Sequence, residues 1–276
     1  MPTLIRLLTP AGLQTVDYAA NSLAEAAQHE PHEGVYTVAN TFERTKTLKL
    51  DAHLDRMEDS AARAGMALRL DRARLRAALR QMIEQADFGD VRFRITAPQA
   101  QPDRLILTIE PYQPPSEALV QTGVRVITVA DSARHNPNAK TADWMHDRAQ
   151  IERSLPEGVY TALLCDAQGF ILEGVSSNFY AIIQGELRTA GHGVLPGIAQ
   201  QIVFAVAQSI LPCRREPIHR DALPSLDEAF LTSSSRGILP IVQIDDHIIG
   251  MGKPGAKTMA LRAAYQSWAA AHLEPL

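Results

Sequence analysis

The stretch HLDRMEDSA, residues 53–61, is the most informative part of this 276-residue chain. Its apolar members Leu54, Met57 and Ala61 recur at the spacing of one helical face, so the stretch predicts an amphipathic helix. Arg56 lies within it and offers a planar cation with several donors, which suits a bound phosphate group. The alternative without a functional role is that Arg56 is an ordinary solvated helix residue. Motifs farther along the chain bear on this choice.

The second motif is Ala139-Lys140-Thr141, which follows a loop rich in Pro and Asn and opens a predicted helix. Lys140 is one of only five lysines in the chain. A lysine amine can condense with the aldehyde of a cofactor and can afterwards carry a proton. The alternative is a surface lysine without a chemical role.

The third motif, FILEGVSSN at residues 170–178, places Glu173 at the end of an apolar strand. A carboxylate at such a position can keep a ring nitrogen protonated, so that the ring accepts electrons. The alternative is a polar residue at a turn, and the neighbouring Gly174 and Asn178 suit a turn in either case.

Two further segments offer phosphate contacts. Gly197 and Ile198 open an amphipathic helix whose first N–H groups and dipole favour an anion. Ser234 contributes a hydroxyl in a loop at a predicted strand end. An ordinary helix entry and an ordinary loop are the alternatives, and the joint presence of these features favours a phosphate site.

The order and spacing of these motifs, from about Gly34 to Gly255, resemble the fold-type IV pyridoxal phosphate enzymes. That group contains branched-chain aminotransferases, D-amino acid aminotransferases and aminodeoxychorismate lyases. The resemblance implies an α/β (α+β) fold of two domains, with pyridoxal 5′-phosphate held between them, and a homodimer that completes the site. It implies that Lys140 is catalytic and that the cofactor is bound by Arg56, Lys140, Glu173, Gly197, Ile198 and Ser234.

The resemblance favours a transaminase that moves an amino group between an amino acid and a 2-oxo acid. Aminodeoxychorismate lyase is the alternative enzyme, since residues 235–240 resemble a sequence motif that is common among the lyases. Trp144 and Met145 stand where branched-chain aminotransferases tend to have Tyr, which weakens that assignment. A cofactor-binding protein without turnover is a third possibility, disfavoured because storage needs neither Lys140 nor Glu173.

The candidate substrate-binding residues are Tyr36, Arg92 and Arg94. The two arginines alternate with apolar residues, so both guanidinium groups are expected on one face of a strand, where they could bind a substrate carboxylate. A solvent-facing basic surface is the equal alternative. Tyr36 is similar in position to a pocket-lining aromatic residue in relatives, although it would also suit a core.

The chain is long enough for two domains. Residues 111–116 contain three prolines and predict an extended or turning connection. We therefore expect a small α/β domain at residues 1–112, a linker at 113–120 and a larger cofactor-binding domain at 121–276.

Composition narrows the class of protein. The net charge of −4 argues against a general nucleic-acid binder. Apolar runs are too short to cross a bilayer and no signal pattern opens the chain, so a cytoplasmic protein without membrane partners is expected. Cys165 lies in an apolar run and predicts a buried thiol. No metal-ligand spacing occurs, so no metal is expected.

Overall fold

A computed structural model describes residues 3–276 of the chain. The strands are Leu4–Thr9 (β1), Gly12–Thr15 (β2), Gly34–Phe42 (β3), Lys46–Leu48 (β4), Val91–Pro98 (β5), Leu105–Pro111 (β6), Val124–Val129 (β7), Thr161–Cys165 (β8), Phe170–Gly174 (β9), Ser177–Ile183 (β10), Glu186–Arg188 (β11), Cys213–Arg214 (β12), Ile218–His219 (β13), Glu228–Ser233 (β14), Gly237–Ile244 (β15), His247–Ile248 (β16) and Leu273–Pro275 (β17). The helices are Leu23–Ala27 (α1), Leu50–Arg63 (α2), Arg72–Ala86 (α3), Glu117–Thr122 (α4), Ala142–Arg153 (α5), Ile198–Ala207 (α6) and Ala256–Ala271 (α7), with a 3-10 helix at Arg220–Ser225.

Contacts between Cα atoms divide the chain into two compact units. The first contains residues 1–113, 139–147 and 272–276, and the second contains residues 114–138 and 148–271. The short segment around Lys140 therefore packs with the N-terminal half of the chain. The predicted boundaries at residues 113–120 stay a prediction.

The first unit is built on a seven-stranded sheet with the order β17-β4-β3-β5-β6-β1-β2. Strand β5 is central and pairs antiparallel with both β3 and β6. Helix α2 begins at Leu50 and contains the whole HLDRMEDSA stretch, and its apolar face, with Leu54, Met57 and Ala61, is buried in the core of this unit. Asp71 caps α3 by accepting a hydrogen bond from the N–H of Arg74.

The second unit is built on a ten-stranded mixed sheet. Strand β7 pairs parallel with β8 on one side and with β15 on the other. Strands β9 and β10 form a tight hairpin, in which Glu173 is opposite Asn178. Strand β14 lies between β10 and β15. The hairpin turn after Glu173 and the turn between β14 and β15 thus lie at ends of neighbouring strands.

Two elements near the predicted linker and in the second sheet have their starts fixed by local contacts. Helix α4 starts inside the predicted linker at residues 113–120 and ends beyond it at Thr122, because Ser116 accepts a hydrogen bond from the N–H of Leu119 and starts a short helix directly after the prolines. Strand β15 begins at Gly237, and its first half pairs with β14. No helix among residues 3–276 combines the length and apolar character needed to span a bilayer.

Candidate functional site

In the first unit, the backbone of Lys140 is fixed by two elements. Its N–H donates to Oγ of Ser60 at 3.0 Å, and its carbonyl accepts from the N–H of Tyr36 at 3.1 Å. Ser60 in turn donates to the carbonyl of Arg56 at 2.7 Å. The stretch at residues 53–61 and strand β3 therefore position the segment that contains the candidate amine.

The side chain of Lys140 lies against an aromatic face. Its Nζ is 4.4 Å from the centroid of the Tyr36 ring. Tyr36 is completely buried, so the ring is a fixed surface for the ammonium group. The structure thus brings together two residues that the sequence indicated separately.

Arg56 lies near a small polar cluster with Thr37 and His53. Its Nη2 is 3.5 Å from Oγ1 of Thr37, which also forms a 2.9 Å hydrogen bond with Nδ1 of His53. Burial lowers the pKa of His53 well below its ordinary value of 6.5, and the positive charges of Arg56, Lys140 and Lys49 lower it further. His53 is therefore neutral at neutral pH, and the positive charges around it favour an anion.

The two predicted substrate arginines have carboxylate partners within the first unit. Arg94 is almost completely buried, and its Nε donates to both carboxylate oxygens of Glu30 at 3.1 and 3.2 Å. Its Nη1 donates to the carbonyl of Leu23 at 2.6 Å. Arg92 is 38% exposed and pairs with Glu110 at 3.3 Å. Arg92 therefore lies on a partly solvated face, whereas Arg94 lies in the interior. A substrate role for either residue remains a prediction.

In the second unit, Glu173 is a buried carboxylate at the end of β9. Its Oε1 lies 3.4 Å from Nη1 of Arg134, and its Oε2 accepts from the N–H of Leu195 at 3.1 Å. Arg134 is also buried and directs the same Nη1 toward the carbonyl of Pro137 at 3.4 Å. Glu173 and Arg134 therefore form a buried ion pair, and the contacts at both oxygens fix the orientation of the Glu173 carboxylate.

Gly197 is the N-cap of α6, and no side chain caps this helix start. A Cβ at Gly197 would collide with the side chain of Asn178, whose Nδ2 donates to the carbonyl of Leu195 at 2.9 Å. A glycine is therefore required at position 197. The first backbone N–H groups of α6 follow it directly, starting at Ile198, and such groups favour an anion.

Ser234 lies in the turn between β14 and β15 and is half-buried. The turn closes with a 3.2 Å hydrogen bond from the N–H of Arg236 to the carbonyl of Ser233. The guanidinium of Arg236 donates to Oγ of Ser176, in the turn after Glu173. These side-chain contacts join two turns that lie far apart in the sequence.

Sequence reasoning missed Arg134, Arg236 and the His53–Thr37 pair. A signal existed for Arg134, since it is a large cation in the polar loop before Lys140. No local pattern indicated its partner, because Glu173 is thirty-nine positions away.

Comparison with known families gives a match over most of the chain. The sequence profile of amino-transferase class IV matches residues 34–244. The chain is 28% identical over 251 residues to a D-alanine aminotransferase of Bacillus licheniformis, which covers 85% of this chain and 87% of the relative. It is 24% identical over 237 residues to a putative branched-chain-amino-acid aminotransferase of Methanocaldococcus jannaschii, covering 79% and 81% of the two chains.

Solved structures share the fold. A branched-chain amino acid aminotransferase of T.th., crystallised with pyridoxamine 5′-phosphate, superposes with a TM-score of 0.81 at 19% identity and 98% coverage of both chains. A putative branched-chain amino acid aminotransferase of Thermotoga maritima superposes with a TM-score of 0.80 at 22% identity and 96% coverage of both chains. The predicted mixed α/β fold is confirmed.

Proposed function

The chain belongs to the amino-transferase class IV family and is a pyridoxal phosphate-dependent transferase; on this premise we propose that it moves an amino group between an amino acid and a 2-oxo acid. The observation that carries the proposal is the pair of fixed groups, the Lys140 amine over the Tyr36 ring and the buried Glu173 carboxylate beside Arg134. A protein that only stored the cofactor would need neither group.

The donor set fits pyridoxal phosphate. Gly197 leaves the start of α6 without a side-chain cap, so backbone N–H groups are available to phosphate oxygens. Arg56 belongs to a positively charged cluster: burial lowers the pKa of His53 most, and the charges of Arg56, Lys140 and Lys49 lower it further. We propose that Arg56, Gly197, Ile198 and Ser234 hold the phosphate.

When bound, pyridoxal phosphate supplies an aldehyde that accepts an amino group and a ring that withdraws electrons from the substrate. Lys140 supplies the amine that holds the cofactor and, once released, carries a proton to or from the reacting carbon. The backbone hydrogen bonds to Ser60 and Tyr36 fix the backbone position of Lys140. The length of the side chain therefore limits how far its amine can move.

Glu173 is proposed to hold a proton on the ring nitrogen. A carboxylate can do this only while it is ionised, and two donors are directed at the oxygens of Glu173. The guanidinium of Arg134 supplies charge at one oxygen, and the N–H of Leu195 supplies a hydrogen bond at the other. Both contacts also prevent the carboxylate from rotating away.

Two expectations about the assembled protein belong to the same proposal. Two copies of the chain are expected to form a homodimer, which light scattering of the purified protein will test. A cytoplasmic location is also expected, and cell fractionation will test it.

A half-reaction experiment tests the proposed activity. An amino acid supplied alone should remove the visible absorbance of the bound cofactor in a single stoichiometric event, because the nitrogen has no acceptor. Addition of 2-oxoglutarate or pyruvate should restore the absorbance and release the new amino acid.

Aminodeoxychorismate lyase is the alternative activity, since Arg236-Gly237 belongs to a segment that resembles a sequence motif common among the lyases. The named relatives are aminotransferases, which favours the transaminase. Sustained formation of pyruvate and 4-aminobenzoate from aminodeoxychorismate, with no amino transfer to any common 2-oxo acid, would overturn the proposal.

A further inference from the structure

Arg236 is a half-buried cation whose side-chain partners are neutral. Its Nη1 and Nη2 donate to the single hydroxyl oxygen of Ser176 at 3.2 and 3.1 Å. Its Cζ lies 5.5 Å from the centroid of the Tyr160 ring. None of the ion pairs formed among residues 3–276 includes this guanidinium. No carboxylate therefore offsets the charge of Arg236 within this part of the chain, and the N–H groups not directed at Ser176 are left for another acceptor.

The other arginines considered for substrate binding differ in this respect. Arg94 is paired with Glu30 inside the first unit, and Arg92 is paired with Glu110. A guanidinium that already binds a carboxylate has less attraction left for a second one, because the first cancels much of its charge. Charge pairing thus favours Arg236 as a binder of an incoming carboxylate.

The position of Arg236 supports the same assignment. Ser176 is in the turn that connects Glu173 and Gly174 to the paired residues Ser177 and Asn178. Arg236 is in the turn that joins β14 to β15, and β14 pairs with β10 through Asn178 and Thr232. The side chain is therefore anchored within three residues of the proposed ring-nitrogen partner.

We propose that Arg236 binds a carboxylate of the amino acid and 2-oxo acid substrates, with Ser176 and Tyr160 fixing the orientation of its fork. This inference rests on the proposed transaminase function, since it assigns the substrate cation of that reaction. A carboxylate would pair with the guanidinium through two parallel hydrogen bonds, which a neutral group cannot replace. The site would therefore prefer carboxylate-bearing donors to simple amines.

The test compares Arg236→Gln and Arg236→Lys with the wild-type holoenzyme. Arg215→Gln is the matched control, because Arg215 also lies over an aromatic ring, 4.4 Å from Phe204, but outside the proposed site. The first measurement is the Kd of hexanoate, a carboxylate that cannot react, by calorimetry. The second is KM and kcat for an amino acid, and the third is cofactor content and the thermal transition.

Arg236→Gln is expected to weaken hexanoate binding and to raise KM by roughly tenfold or more, the usual scale for a lost charge-assisted contact. Arg236→Lys should lie between Gln and wild type, because it keeps the charge and loses the fork. Cofactor content and the thermal transition should not change, and Arg215→Gln should match wild type throughout.

Unchanged hexanoate affinity and KM in Arg236→Gln would overturn the inference, as would a wild-type protein that binds no carboxylate or uses simple amines equally well. A variant that loses cofactor or unfolds would also overturn it, since Arg236 would then be structural. Absence of amino transfer in the wild type, with hexanoate binding still dependent on Arg236, would reject the proposed function and leave the carboxylate site standing.

Discussion

Nη1 of Arg134 lies 3.4 Å from Oε1 of Glu173, and the two side chains are only 4% and 5% exposed. Burial removes most of the water that would stabilise either charge, so each depends on the other and on nearby donors. The N–H of Leu195 supplies one such donor at 3.1 Å. Glu173 is therefore held as a fixed carboxylate, which is the state that a ring-nitrogen partner requires.

Glu173→Gln tests this role. The amide keeps the size of the side chain but removes the charge, so turnover should fall by on the order of a hundredfold or more while cofactor affinity falls much less. Steady-state kinetics and cofactor titration measure the two effects. Glu186→Gln is the control, because Glu186 pairs with Arg214 near the surface at 2.9 Å. Normal turnover of cofactor-loaded Glu173→Gln would make Glu173 a structural residue.

Lys140→Ala should abolish the covalent attachment of the cofactor and amino transfer, because no amine remains to hold the aldehyde. Borohydride reduction of the wild type, followed by peptide mass spectrometry, should find the cofactor attached to Lys140. Lys257→Ala is the control and should retain both properties. Attachment to Lys46, Lys49, Lys253 or Lys257 would contradict the assignment.

The sequence predicted the main helices and strands because their apolar residues repeat with the period of each element. Helix α2 and strand β5 are examples, since both bury the residues that the pattern indicated. Strand β17 had no such signal. It forms because Leu273–Pro275 pairs with Lys46–Leu48, more than two hundred residues earlier. Pairing of this kind depends on the assembled sheet and leaves no local period.

The candidate site was likewise predictable from the sequence only in part. Lys140 and Glu173 were indicated because each lies in a short local motif. The side-chain environments were not predictable. Arg94 was expected on a strand face that leads to substrate, but Glu30, sixty-four positions away, binds it in the interior. Local spacing shows which face a residue occupies, whereas its charge partner depends on the tertiary fold.

His53 should make the protein sensitive to acid. Its pKa in the folded state is well below 6.5, chiefly because it is buried, so the unfolded chain binds a proton that the folded chain excludes as the pH falls. The stability contributed by neutral His53 is complete above the unfolded pKa and is lost below about pH 6.5, by about 1.4 kcal/mol per pH unit until the folded pKa is reached. Denaturant unfolding between pH 5 and 8 measures this slope.

His53→Gln should reduce that slope by about one proton, because the titrating group is gone. His192→Gln, at a position that is not buried, should retain the wild-type slope. Equal slopes in the His53 variant and the wild type would show that His53 does not cause the acid sensitivity.

Cys165 should be chemically inert in the folded protein. Burial raises the pKa of its thiol to about 11, so almost none is thiolate at pH 8, and the side chain is fully buried. In a Cys213→Ser background, Ellman's reagent should react slowly with native protein and rapidly after denaturation. The reciprocal Cys165→Ser variant reports the half-buried Cys213 alone. Fast reaction of native Cys165 would contradict its burial.

Arg94→Met should destabilise the first unit rather than impair substrate binding. The change leaves the carboxylate of Glu30, which has no exposed surface, without its cation. Loss of one partner of a buried ion pair lowers the free energy of unfolding by about 3–5 kcal/mol, whereas an apolar replacement of both partners is often tolerated. Arg94→Met with Glu30→Leu should therefore recover much of the lost stability, and denaturant unfolding of the two variants measures the difference.

Arg92→Gln is the matched control on the same strand. Arg92 is 38% exposed and pairs with Glu110 at 3.3 Å, so its loss should change the free energy of unfolding by at most about 1 kcal/mol. Steady-state kinetics at a temperature where every variant is folded separates structure from recognition. An Arg94→Met/Glu30→Leu protein with the wild-type KM for amino acids would establish the ion pair as structural. A KM raised by roughly tenfold in that protein would instead restore Arg94 as a substrate-binding residue.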